Sequence, residues 1–158
     1  MYHIATADDF NTLKNSYIYC SNLRKENHGL PMPDISDDEL SAYIEAGKII
    51  VSDFGSDELR SNICFDVTED YIQAVWTIPN LKHKGDVGAM YAYLIMTYKK
   101  PLRYWVVGGT EREQLAAGGK RAANTVLIRS EVNEYGKTMN LYEFTAAVLS
   151  QVEGVDGK

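Results

Sequence analysis

The stretch from Tyr71 to Lys100, YIQAVWTIPNLKHKGDVGAMYAYLIMTYKK, holds the residues whose types and spacing point most directly to chemistry. Its β-branched and aromatic opening reads as a strand that Pro79 closes. A basic loop with two glycines follows, then a run with apolar residues at helical spacing. A glycine loop that opens a helix leaves several backbone N–H groups without intrahelical partners, and the helix dipole adds positive potential there. Together these suit a phosphate or pyrophosphate. Lys82, His83 and Lys84 form the one tight basic cluster before a glycine, at the rim of this loop. Asp86 opposes them, because it sets a negative charge where the anion would lie. A two-glycine turn before a helix also occurs as a plain turn, so the surrounding elements have to decide.

Those elements follow from the hydrophobic period. Tyr2–Thr6 reads as a short strand. Phe10, Leu13, Tyr17, Ile18 and Cys20 or Ser21 recur at three and four, which predicts a helix capped by Thr6 or Asp8 and fading near Glu26–Gly29. Ser36 with Glu39 forms a capping box for a second helix, with Leu40, Tyr43 and Ile44 as its apolar stripe and Gly47 as its end. The period then becomes extended. Ile49–Phe54, Ser61–Val67 and Tyr71–Ile78 are three successive strands, with a turn at Gly55–Glu58. Asp86–Lys100 is helical, with Val87, Met90, Tyr91, Leu94, Ile95 and Tyr98 on one face and Pro101 at the exit. Leu102–Val107 reads as a buried strand. The Gly108-Gly109-Thr110 turn after it reads as an ordinary strand exit or a second anion turn, and Thr110 can cap a short helix over Glu111–Ala117. Asn124–Val132 and Met139–Thr145 are strands joined by a turn at Asn133–Lys137, where Gly136 permits a positive φ. The order is βααβββαβαββ, an α/β domain over 1–149 with a frayed tail over 150–158.

At 158 residues the chain has the length of one domain, long enough to bury a core without disulfides or metal. Cys20 and Cys64 lie 44 positions apart, show no metal spacing, and read as reduced, buried thiols of a cytoplasmic protein. No basic region with an apolar run opens the chain, and no apolar run reaches the length of a membrane span. The net charge of −6 disfavours nucleic acid as a partner of the whole surface. His3 and His28 lie far from the basic loop in sequence and read as structural or exposed.

Ile78-Pro79, the loop Lys82–Ala89 (KHKGDVGA) and the helix after it resemble motif A of the GNAT family of N-acetyltransferases. The element order resembles that family over nearly the whole chain, and HIATADDFNTL looks like its first strand and helix. The resemblance implies a mixed, mostly antiparallel sheet flanked by helices, and acetyl-CoA as cosubstrate for direct acetyl transfer to an amine of a small molecule or protein. It implies that Lys82, His83, Lys84, Gly85, Val87, Gly88 and Ala89 hold the pyrophosphate, and that backbone N–H groups of Trp76, Thr77 and Ile78 polarise the thioester carbonyl. Glu69, Asp70 and His83 are candidates for the base that takes the ammonium proton.

The departures are specific. If Gly85 takes the first glycine position of the loop, Val87 falls where Gly or Ala is expected; if Gly88 does, Met90 does. Glu111–Ala123 contains neither the Asn nor the Tyr that the family carries on its next helix, so Tyr135 or Tyr142 would have to protonate the leaving thiolate. In length, altered loop and tyrosine content the chain is also similar to phage proteins, small virion proteins among them, with eroded GNAT motifs. That likeness implies a second reading: a catalytically inactive GNAT-like domain for protein binding or assembly.

Overall fold

In a computed structural model of the chain, the described residues are 2–53, 60–80, 86–110 and 124–145. The expected turn at 55–58, the loop at 81–85, the helix at 111–117 and the tail from 150 fall outside them. The elements are β1 (Tyr2–Ile4), α1 (Phe10–His28), α2 (Asp37–Glu45), β2 (Ile49–Ser52), β3 (Asn62–Val67), β4 (Ile72–Ile78), α3 (Asp86–Tyr98), β5 (Leu102–Val107), β6 (Thr125–Val132) and β7 (Thr138–Phe144). The strand order is β1-β2-β3-β4-β5-β7-β6. The β4–β5 pair is parallel, whereas β1–β2, β2–β3, β5–β7 and β6–β7 are antiparallel. The architecture is thus the expected α/β one, a mixed and mostly antiparallel sheet with helices. No helix among the described residues is long and apolar enough to cross a membrane.

Packing divides the chain into two compact units. The first comprises Met1–Phe65 with Val75–Met90, the second Asp66–Ala74 with the described residues from Tyr91 on. In the first unit, Ala7–Asp9 form a 3-10 turn before α1, and the Asp9 carboxylate accepts from the Thr6 N–H at 2.9 Å. α1 buries Leu13, Ser16 and Tyr17 and ends at Gly29, whose φ of +66° is the left-handed conformation that glycine adopts without strain. Ile18, expected on the buried stripe, is exposed because it lies one step round the helix from Tyr17. The predicted capping box of α2 is present. Ser36 Oγ accepts from Glu39 N–H at 3.0 Å, and Glu39 Oε1 accepts from Ser36 N–H at 3.3 Å.

A buried polar network ties α1 to the strands of this unit. Asn62 Nδ2 donates to Ser16 Oγ and to the Arg60 carbonyl, each at 3.1 Å, and Ser16 Oγ donates to the Leu13 carbonyl at 2.9 Å. Asn62 Oδ1 accepts from the indole N–H of Trp76 at 3.1 Å. The Trp76 ring meets Tyr17 and Tyr43 edge-on, at centroid separations of 5.1 and 5.4 Å. Tyr17 donates its hydroxyl to the Pro33 carbonyl, and burial pushes its pKa up to about 12.

In the second unit, β5 buries Leu102, Tyr104 and Val106 and leaves the alternate positions half-buried. The sequence reads as a strand buried on both faces, but the observed alternation is that of a half-covered sheet. α3 ends at Tyr98 rather than Lys100. Lys99 takes a φ of +55°, and Lys100, preceding Pro101, is sterically disfavoured from helical backbone. Gly136 (φ +73°) makes the β6–β7 turn as expected.

His3 on β1 places its two ring nitrogens against two carboxylates, Nδ1 at 2.6 Å from Asp53 and Nε2 at 3.0 Å from Asp9. Burial acts to lower the His3 pKa, but the hydrogen bonds to Asp53 and Asp9 outweigh it and the net shift is upward. A raised histidine stabilises the fold fully below its unfolded value of about 6.5 and loses that contribution as pH rises through the folded value. Asp53, depressed chiefly by the His3 hydrogen bond, contributes in the opposite window: its share is lost as pH falls through its folded value. The melting-temperature advantage of wild type over His3→Gln should therefore be larger at about pH 6 than at about pH 9. A gap that stays constant across that range, followed by thermal melts, would show that His3 is not charged in the clamp.

Candidate functional site

β4 and the start of α3 carry the candidate site. The β4–β5 ladder consists of two pairs, Ile72↔Leu102 and Gln73↔Arg103. The Ile72 N–H donates across it to the Pro101 carbonyl at 2.8 Å. Backbone groups alternate sides along a strand. The N–H groups of Ala74, Trp76 and Ile78 therefore lie on the same edge as that of Ile72, beyond the last ladder pair. The Thr77 N–H lies on the β3 edge by the same alternation. The side chains of Trp76 and Ile78 are core of the first unit, so what these two residues offer on that edge is backbone. The Trp76 indole turns toward Asn62, Tyr17 and Tyr43. The other tryptophan, Trp105 on β5, is half-buried, with the Arg129 guanidinium 5.4 Å from its ring centroid.

Of the expected loop, Lys82, His83, Lys84 and Gly85 lie outside the described residues. The first turn of α3 is described. Val87 is buried, Gly88 half-buried and Ala89 exposed. A Cβ built on Gly88 would meet no described atom within 4 Å, so nothing within the fold requires glycine there. Mid-helix glycine costs about 0.5–1 kcal/mol relative to alanine. Open space over the first turn is what a ligand at this helix start needs.

Asp86 is the feature that sequence reasoning saw only as an unfavourable charge. Its side chain is 9% exposed, and Oδ2 is buried with no hydrogen-bond partner. Its charge also reaches β1: the Tyr2 hydroxyl is pushed up by burial first and by Asp86 second. An acidic residue in a helix's first turn is common and mildly favourable. A buried carboxylate oxygen without a donor is neither, and no local sequence signal marks it, because it depends on what packs above the helix start.

The candidate acids and bases are scattered. Glu69 and Asp70 are exposed in the β3–β4 turn, which the Thr68 N–H closes on the Tyr71 carbonyl at 2.8 Å. Both carboxylates face solvent there, where the sequence places them as candidate bases. Tyr142 is buried on β7 opposite Tyr104 of β5. Tyr91, Tyr104 and Tyr142 form a row: Tyr91 stacks on Tyr104 at 5.0 Å, and Tyr104 lies 6.2 Å from Tyr142. The helical period predicted the burial of Tyr91. The row itself needs the β5–β7 register and was not legible. Tyr135 is exposed in the β6–β7 turn.

No protein-family profile matches the sequence, and no curated protein matches it. Solved structures do resemble the fold. The ribosomal-protein-S18-alanine N-acetyltransferase from Escherichia coli superposes with a TM-score of 0.62 at 9% identity, over 91% of this chain and 92% of that one. An acetyltransferase of the GNAT family from Bacteroides thetaiotaomicron gives 0.58 at 15% identity, over 98% and 93%. An aminoglycoside 6′-N-acetyltransferase complexed with coenzyme A gives 0.54 at 8% identity, over 90% and 95%. With these matches spanning about nine-tenths of each chain, this chain has the GNAT-like fold.

Proposed function

We propose that the chain is an acetyl-CoA-dependent N-acetyltransferase, acting on an amine of a small molecule or protein. The observation that carries the reading is the β4 edge: a two-pair parallel ladder followed by the Trp76 and Ile78 amides, leading into a helix whose first turn has open space at Gly88. The Trp76 and Ile78 N–H groups donate to the thioester carbonyl oxygen as charge develops on it. The amides that open α3, with Lys82 and Lys84, hold the pyrophosphate. When bound, acetyl-CoA supplies the activated acyl group. Tyr142 is the proposed proton source for the departing thiolate, and Glu69, Asp70 or His83 is the proposed base that takes the acceptor's ammonium proton, directly or through water. The neighbour complexed with coenzyme A supports the choice of donor.

One observation favours a second reading, a GNAT-fold domain that binds partners without turnover. Asp86 puts a buried carboxylate oxygen at the helix start where a diphosphate would rest. Thermal melts with acetyl-CoA separate the two readings. A ligand at 100 times its Kd stabilises by about 2.7 kcal/mol, several degrees for a chain of this size. No shift at millimolar cofactor would leave the binding reading alone. Gly88→Ala sharpens the test because its two effects oppose. The free protein should gain about 0.5–1 kcal/mol of stability, while acetyl-CoA affinity should fall severalfold as the added methyl takes ligand space. Calorimetric titration reads the second effect, and unchanged affinity would place the donor site away from the first turn of α3.

A further inference from the structure

The last strand of the sheet is unusually apolar for an edge. β6 exposes seven of its eight residues, among them Val126 (55%), Leu127 (51%) and Val132 (71%), and among the described residues β7 is its one neighbour in the sheet order. Long, apolar, exposed edges invite pairing with another strand, and proteins ordinarily blunt them with lysine, proline or short length. Here an eight-residue strand carries no Lys or Pro, and its charges are one oppositely charged pair, Arg129 and Glu131, beyond a bulge. We infer that β6 is the contact through which two copies of this chain pair edge to edge, antiparallel about a two-fold axis at Ser130.

The backbone phase selects that centre. At the turn, the Asn133 N–H donates to the Lys137 carbonyl at 2.9 Å, next to the Val132↔Thr138 pair. By alternation Glu131 and Arg129 direct their backbone groups inward to β7, and Ser130 and Val132 direct theirs to the open edge. A two-fold at Ser130 therefore sets one copy's Ser130 N–H and C=O against those of the other as a hydrogen-bonded pair. Charge selects the same centre. Arg129 of each copy falls opposite Glu131 of the other, on one face, and the two are already exposed neighbours within a copy (3.6 Å). Centring on Arg129 or on Glu131 would set like charges directly opposite, which destabilises. The bulge between Leu127 and Arg129 limits the regular pairing to the segment after it, with Ile128 and Val132 as the apolar flank. Only a few residues pair, so the dimer is weak, with a Kd on the order of 10 µM.

Sedimentation equilibrium of the full chain tests this across that concentration. Wild type should pass from monomer to dimer. Arg129→Glu should weaken association about tenfold or more, by placing like charges opposite at two positions. Combining it with Glu131→Arg should restore association, a rescue that general stickiness cannot produce. Ser130→Cys should cross-link into a dimer under mild oxidation while wild type does not, because opposed Cα atoms in such a pair lie about 5.5 Å apart. Far-UV circular dichroism confirms that each variant folds. A wild-type chain that stays monomeric well above the expected Kd would leave this edge to a strand of another protein and overturn the proposal. So would association that the charge reversal leaves unchanged, or that the double exchange fails to restore.

Discussion

Asp86→Asn is expected to stabilise the free protein and to tighten acetyl-CoA at the same time, two gains that rarely come from one substitution at a ligand site. The first gain follows from the buried Oδ2 that no donor reaches. An unsatisfied buried polar atom costs about 1–3 kcal/mol, and more when charged. The amide keeps the shape of the carboxylate and removes the charge, so what it recovers is the charged part of that cost and not the cost of a buried polar atom. Against this stands the lost attraction between an anion and the helix start, about 0.3–1 kcal/mol. The balance favours asparagine by roughly 1 kcal/mol, readable in urea denaturation. The second gain concerns the proposed function. A negative charge beside a diphosphate opposes its binding by Coulomb repulsion that salt weakens. Removing it should strengthen acetyl-CoA binding about tenfold, and Asp86→Lys should strengthen it further. Weaker binding by Asp86→Asn would mean that the carboxylate accepts a hydrogen bond from the ligand. Unchanged binding, with the stability gain present, would mean that no diphosphate rests at this helix.

The contrast between α2 and the Trp76 indole shows what the sequence could and could not convey. The capping box of α2, the proline and glycine boundaries, the turn at Gly136 and the strand–helix order depend on residues close in sequence, and all are legible there. α1 and α3 were legible in their buried stripes but not at every position. Ile18 left the stripe because a helix face is a continuous angle and the sequence shows only discrete spacings. The site divides along the same line. The alternation of backbone groups along β4 follows from the strand assignment, and it separates the Thr77 N–H from those of Trp76 and Ile78, which the sequence reading takes together. The inward turn of the Trp76 indole and the Tyr91–Tyr104–Tyr142 row were not legible, because each depends on elements distant in sequence: α1 with β3, and β5 with β7.

Trp76→Ala should be the most damaging single substitution in the first unit, costing about 3–5 kcal/mol. Three losses coincide. The indole is 9% exposed, so its removal opens a cavity in a core that includes Leu13, Leu40 and Val51. Its edge contacts with Tyr17 and Tyr43 disappear. Asn62 Oδ1 loses the indole N–H while Asn62 Nδ2 stays anchored to Ser16, so the buried network cannot simply turn away. Against a typical domain stability of about 5–15 kcal/mol, the variant approaches the unfolding threshold at ordinary temperature. Trp76→Phe separates the terms. It retains much of the ring volume and its edge contacts and forfeits the N–H, at about 1–3 kcal/mol. Urea midpoints for the two variants should therefore fall in the order wild type, Phe, Ala. A Phe variant as unstable as the Ala variant would make the hydrogen bond to Asn62, rather than the volume, the main contribution. An Ala variant within about 1 kcal/mol of wild type would mean that the core collapses onto the gap. Because residue 76 acts at the proposed site through its backbone N–H, Trp76→Phe should bind acetyl-CoA as wild type does once folded. A marked loss of affinity in a folded Trp76→Phe variant would instead place the indole, not the amide, in the binding of the donor.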